Sequence, residues 1–183
     1  MAIRVIAILW GFAEATAFFI VPDVFTSRVA LTHGTASAFR SCAWAVLGAL
    51  IGGTFLFTLA RLDRVAASSL LDAFTHLPGI SPALVETARL EVISHGPAAF
   101  LTTSAAGIPY KVCTLQASLL GMSFPAFLAI SLVARALRFL TVTSFAILCQ
   151  RFLLHRLSVA ARTRIHGLCW FLFYAAYFSA MSG

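Results

Sequence analysis

Charge is what this sequence has least of: charged residues make up 10% of its 183 positions, against about 25% in an ordinary soluble domain. A conventional soluble enzyme is therefore excluded. Acids number six in all, and each lies in the first half: Glu14, Asp23, Asp63, Asp72, Glu86 and Glu91. From residue 92 onward there is no acid, only Lys111, Arg135, Arg138, Arg151, Arg156, Arg162 and Arg164. Nucleic-acid binding needs Lys and Arg gathered on one solvated face, and most of these cations stand singly between apolar runs. The four cysteines, Cys42, Cys113, Cys149 and Cys169, form no C-x-x-C and none of the short spacings of zinc or haem sites, so they read as small buried hydrophobes. No pair among the five histidines has the i, i+4 spacing of a helical metal site. Neither metal nor cofactor is expected, and no nucleophile–base motif points to an enzyme.

What the chain has instead is apolar length. Hydrophobic residues reach 61%, with 17 Phe, which rules out intrinsic disorder. Uninterrupted runs cover residues 41–60, 92–110, 112–134 and 165–183. About 20 apolar residues cross ~30 Å of hydrocarbon, so the expectation is an all-helical, multi-pass membrane protein forming a single domain. The N-terminal stretch has small-residue steps resembling signal cleavage sites at residues 13–15 and 15–17. Its lone Arg4 makes a weak cationic region, so the segment is expected to be retained.

Two runs are poor as simple spans. Gly107-Ile108-Pro109-Tyr110-Lys111 puts a helix breaker and a cation between them. Residues 96–106 and 110–120 divide instead into two limbs of ~16 Å each, about half a bilayer. A re-entrant hairpin followed by a spanning helix from about Met122 to Cys149 results. The N-terminus allows the same construction, with limbs from Val5 to Ile20 and from Val24 to about Thr32 joined at Val21-Pro22-Asp23. The spanning run 41–60 follows it. Hairpin then span, twice, makes an inverted repeat of the kind many transporters use. The domain therefore divides into a first repeat (1–61), an interfacial connector (62–94), a second repeat (95–150), a basic loop (151–164) and a C-terminal spanning helix (165–183). In the connector, Ser81 is placed to cap a helix beginning at Pro82, and Glu86 and Arg89 stand i, i+3. The acid-free loop carrying Arg151, Arg156, Arg162 and Arg164 is cytoplasmic by the positive-inside rule, together with Arg4, Arg28 and Arg40; Arg61, Arg64 and Arg89 fall on the other side. Trp10, Trp44, Trp170, Tyr174 and Tyr177 are candidate interface markers.

At Gly107-Ile108-Pro109-Tyr110-Lys111-Val112, and through Leu115, Met122, Phe124, Phe127 and Ala134-Arg135-Ala136-Leu137-Arg138-Phe139, the sequence resembles the DedA family, also called the VTT or SNARE-associated domain family, and within it the small YqaA-like branch. Glu14, Pro22 and Asp23 look like that family's acidic, proline-tipped first hairpin. Gly48-Ala49-Leu50-Ile51-Gly52 with Ala60-Arg61 is similar to its Gly-rich helix. The likeness runs over roughly residues 10–145. It implies two facing re-entrant hairpins and the flipping or scrambling of a phospholipid or polyprenyl phosphate across a membrane, the inner one in a bacterium, with protons as a candidate coupling ion. Carried over, the membrane acids are Glu14 and Asp23, and the hairpin cation is Lys111. Four departures stand out: Ser104 occupies the place of the family's hairpin Arg, Gly107 that of its first Pro, Gln116-Ala117-Ser118 that of Ala-Ala-Gly, and Ala60 and Ala134 those of the Gly in two Gly-Arg pairs.

The residues themselves support several readings. Charges at the centre of a spanning helix cost about 2.5–3.5 kcal/mol, so they face a cavity or a partner. Lys111, Arg135 and Arg138 are candidate substrate-binding cations for an anionic or phosphate-bearing lipid headgroup. Glu14 and Asp23 are candidate proton carriers, or else structural counter-charges to those cations. If 112–134 were one straight span, Arg135 and Arg138 would sit at its end and meet headgroups. Pro22, Gly107, Pro109 and Tyr110 are the expected hairpin tips. Gly48-x-x-x-Gly52 suits close helix packing, within the monomer in preference to a dimer, although a homo-oligomer stays open. The rival to transport is a membrane assembly or scaffold protein that keeps the fold.

Overall fold

The computed structural model describes residues 2–77 and 79–181. Among these residues there are nine α-helices, one 3₁₀ turn and no strand. The helices are α1 (Ala2–Thr16), α2 (Asp23–His33), α3 (Thr35–Leu62), α4 (Arg64–Thr75), α5 (Pro82–His95), α6 (Ala99–Ala105), α7 (Tyr110–Leu119), α8 (Phe124–Phe152) and α9 (Val159–Met181). Two of them, α3 and α8, are long and apolar enough to cross a membrane. The last helix starts six residues before the expected span. Its His166, Trp170, Tyr174 and Tyr177 dilute its apolar character, and it is not among those two. Residues 182–183, the end of the expected span, and Pro78, part of the expected break between α4 and α5, lie outside the described residues.

Helices α3 and α8 pack antiparallel. Near the start of α3, the Cys42 thiol lies 3.1 Å from the Thr143 hydroxyl late in α8. Near its end, the Phe57 ring stacks on Phe127, early in α8, with centroids 4.4 Å apart. The end with the α8–α9 connection is face A here, and the end with the α3–α4 connection is face B. Helix α1 lies alongside α3 in the same direction, with Arg4 5.0 Å over the Trp44 ring. Their approach depends on glycine. A Cβ on Gly48 would run into the backbone of Ile8, and one on Gly52 would stand 2.8 Å from the Phe12 carbonyl. The small-residue stripe therefore serves packing inside the chain.

Both short helix pairs break where the sequence changes character. Helix α1 stops at Thr16, four residues before the expected limb end, and α2 begins immediately after Pro22. Gly107 adopts φ +78°, a left-handed conformation that L side chains disfavour, and Pro109 precedes the first turn of α7. Gly96–Ala98 is a 3₁₀ turn leading into α6. Its limb thus runs from 96 to 105, within a residue of the expected one.

The connector helices are capped by Asp63, which accepts from the Ala66 amide at 2.8 Å, and by Ser81, which accepts from the Leu84 amide at 3.2 Å. Arg89 forks onto Glu86 at 2.7 and 2.8 Å and holds that exposed carboxyl below its ordinary pKa. The connector helices pack against α6 and α7 and bury Ala67, Leu71, Phe74, Ala88 and Val92 in the main core, joined by Ile80 from the segment between them. In the basic loop, Arg162 donates to the carbonyls of Leu154, His155 and Leu157, closing the chain between α8 and α9. Of the cysteines, Cys42 and Cys113 are buried as expected. Cys169 is exposed and Cys149 half-buried, because α9 stands apart from the main bundle.

Candidate functional site

The two breaks meet. From the second, the Lys111 ammonium reaches across and donates to the carbonyl of Phe18 in the first, at 2.9 Å. Only 2% of Lys111 is exposed, and its charge lies 4.7 Å over the Phe19 ring and 5.7 Å over that of Phe74. These aromatic faces and one carbonyl are partial compensation for a buried cation; among the described residues no carboxylate lies within salt-bridge distance of it, and Glu14, in the same cavity wall, acts on it from farther off.

Arg135 and Arg138 lie in the middle of α8, since that helix is continuous from Phe124 to Phe152. A placement at the end of a span 112–134 is thus corrected: Pro125 sits in the first turn, where proline is tolerated, and nothing breaks the helix after it. Arg135 donates to Glu14 of α1 at 3.2 Å, and its guanidinium lies 3.9 Å above the Tyr110 ring of α7. One side chain thereby joins the acid of the first helix pair to the tip residue of the second. Arg138 donates to Asp23 of α2 at 3.0 Å. The structure thus brings together Glu14, Asp23, Lys111, Arg135, Arg138 and Tyr110, with Pro22 fully buried beside Asp23. Gly107 and Pro109 line the cavity between the tips. The charges come from opposite halves of the sequence, and three cations against two carboxylates leave one positive charge in excess.

Glu14 Oε2 and Asp23 Oδ1 are buried without a hydrogen bond from the protein, while the hydroxyls of Tyr110, Thr114 and Ser131 lie within reach of one another. The cavity between the tips measures about 110 Å³, and Glu14, Lys111, Arg138, Tyr174 and Tyr177 are in its wall. It is polar at the charges, with aromatic and aliphatic walls elsewhere. Among the described residues, no three His, Cys, Asp or Glu side chains are grouped to hold a metal ion.

Trp170, Tyr174 and Tyr177, candidate interface markers by sequence, take polar partners in the rest of the chain from α9. The Tyr174 hydroxyl accepts from the Val21 amide at 2.9 Å, and that of Tyr177 donates to the Gly79 carbonyl at 3.4 Å. Trp170 donates to His166 Nε2 at 3.1 Å, which also lies 2.8 Å from the Ser27 hydroxyl. The signal was present as a stripe at helical spacing, His166, Trp170, Tyr174 and Phe178, and its partners in α2 and the first tip could not be read from it. Phe74 and Ile80 of the connector were likewise missed, although they stand at Lys111 and in the cavity wall. Ser104, half-buried, lines a further small cavity with Arg135 and Arg138. Compared with known proteins, this chain matches no protein-family model, no curated protein and no solved structure.

Proposed function

We propose that this protein is a membrane lipid transporter that moves a phospholipid or polyprenyl phosphate between leaflets. In this reading α1–α2 and α6–α7 are re-entrant hairpins entering from faces A and B, α3 and α8 span the bilayer, α9 spans beside them, and the two repeats are inverted. The protein is then an integral membrane protein, of the inner membrane in a bacterium, with face A cytoplasmic. The observation that carries the proposal is the excess of cations over carboxylates where the breaks meet, with Lys111 in direct contact with a carbonyl and aromatic faces but with no carboxylate. A phosphate headgroup supplies the missing negative charge, and Arg138, 28% exposed in its side chain, offers nitrogens that Asp23 does not occupy. The open oxygens of Glu14 and Asp23 suit the uptake of a proton as the headgroup leaves. The resemblance to the DedA family points the same way.

One observation favours the second reading, a scaffold without transport: both acids already have arginine partners, which suffices for a purely structural role. Reconstitution separates the two. Vesicles containing the protein are expected to move labelled phospholipid or polyprenyl phosphate between leaflets faster than protein-free vesicles, with a rate that depends on pH. No movement of either lipid at any pH from 5 to 9 would leave the scaffold.

A further inference from the structure

A second, larger space opens from the same site. Between α2, α8 and α9 lies a groove of about 670 Å³, a volume typical of sites that enclose one small ligand. Its walls are apolar along most of their length, with Val142, Phe145, Ala146 and Cys149 from α8 facing Cys169 and Phe173 from α9. The groove exists because α9 rests chiefly on α2 and leaves the flank of α8 uncovered. Its deep end is different. There it is bounded by Asp23, Arg138 and Ser104, and Asp23 is 1% exposed with Oδ1 unpartnered. Arg138 and Phe173 belong to both the groove and the cavity between the tips, so the two spaces adjoin at the charge pair.

We infer that this groove is a binding site for one acyl chain of an amphiphile, which enters sideways between α8 and α9 while its headgroup engages Arg138 and Asp23. Polarity is concentrated at the deep end, since Ser27, His166 and Trp170 along the wall are hydrogen-bonded among themselves, and this suits a headgroup with one chain: an anionic group for the free guanidinium nitrogens, a hydrogen-bond donor for Asp23 Oδ1, and methylenes for the remaining wall. Length agrees as well. From Arg138 to the end of α8 the groove follows that helix for ~21 Å, enough to span the ~15 Å depth of one leaflet. A chain lying there stays within the leaflet of face A, while its headgroup sits as deep as the hairpin tips. The inference rests on the transport reading for the identity of the headgroup, whereas the chain site stands on the groove's own shape and polarity.

The full-length protein is reconstituted in phosphatidylcholine vesicles containing a trace of phosphatidic acid that carries a diazirine at the end of one acyl chain. After irradiation, adducts are mapped by mass spectrometry. The expected result is enrichment on Leu153, Leu154 and Ile165, at the end of the groove away from Arg138, reduced at least fivefold by Val142→Trp, which fills the groove, and by alkylating Cys149 and Cys169 in the unaltered protein, which needs no refolding. Adducts spread evenly over Leu132, Val133, Leu148 and the other outward side chains of α8, unchanged by either treatment, would overturn the inference. A groove pattern without any lipid movement would remove the transport reading and leave the chain site; movement without the groove pattern would do the reverse.

Discussion

Replacing Arg135 by leucine is expected to destabilise the protein by about 3–5 kcal/mol, on the order of 10 °C in thermal midpoint. The reason is what it leaves behind. Glu14 is 7% exposed, its Oε1 is held by Arg135 at 3.2 Å, and its Oε2 has no partner at all. Without Arg135, a carboxylate that is nearly buried among helices loses its one ion-pair partner. Tyr110 also loses the cation 3.9 Å above its ring, so the contact between the two helix pairs weakens from both sides. The double replacement Glu14→Leu with Arg135→Leu is expected to recover most of the loss, because buried ion pairs exchanged for packed apolar residues are often neutral or better. Thermal unfolding of the three proteins in one detergent measures this. A single variant as stable as the parent would mean that Glu14 is not held by Arg135. Transport should stay absent in the double variant, which separates the pair's structural contribution from its part in the chemistry.

Replacing Lys111 by glutamine is expected to do the opposite: little to stability and much to function. Glutamine still has an amide N–H to give to the Phe18 carbonyl, and the carboxylates do not lose a partner, since Glu14 and Asp23 are paired with the arginines. What disappears is the excess charge. A hydrogen bond to a charged group contributes about 1.5–3 kcal/mol, so the transport rate at low lipid fraction should fall roughly 10–100-fold. Lys111→Arg, which keeps the charge, should retain more activity than Lys111→Gln. Equal rates in the parent and the glutamine variant would remove Lys111 from the headgroup site.

The order of helices and breaks was legible because breaks are written locally. Proline before Asp23 and Tyr110, and glycine at 107, announce both tips within a few residues, and the limb 96–105 follows from length alone. The pairing of halves was legible for a different reason: a charge cannot be left alone in an apolar bundle, and the second half contains no acid of its own. Which acid meets which cation was not. That Glu14 takes Arg135 and Asp23 takes Arg138 depends on α3 and α8 being antiparallel and on α1 fitting against Gly48, both long-range facts. Helix α9 was least legible. Its aromatic residues suit an interface and an inward wall equally well by composition, and only the partners, the Val21 amide and the Gly79 carbonyl, decide.

Everything proposed here requires the two tips to meet inside a membrane, reached from opposite sides. The most direct measurement is thiol labelling in sealed, oriented vesicles, using single cysteines at Leu62, Ala160 and Ile108 in a cysteine-free background. Leu62 is 83% exposed at the face B end of α3, Ala160 is exposed at the face A end of α9, and Ile108 is buried at the second tip. Positions 62 and 160 are expected to react with a membrane-impermeant reagent from opposite sides, with position 108 reacting slowly. Labelling of 62 and 160 from the same side would contradict the account.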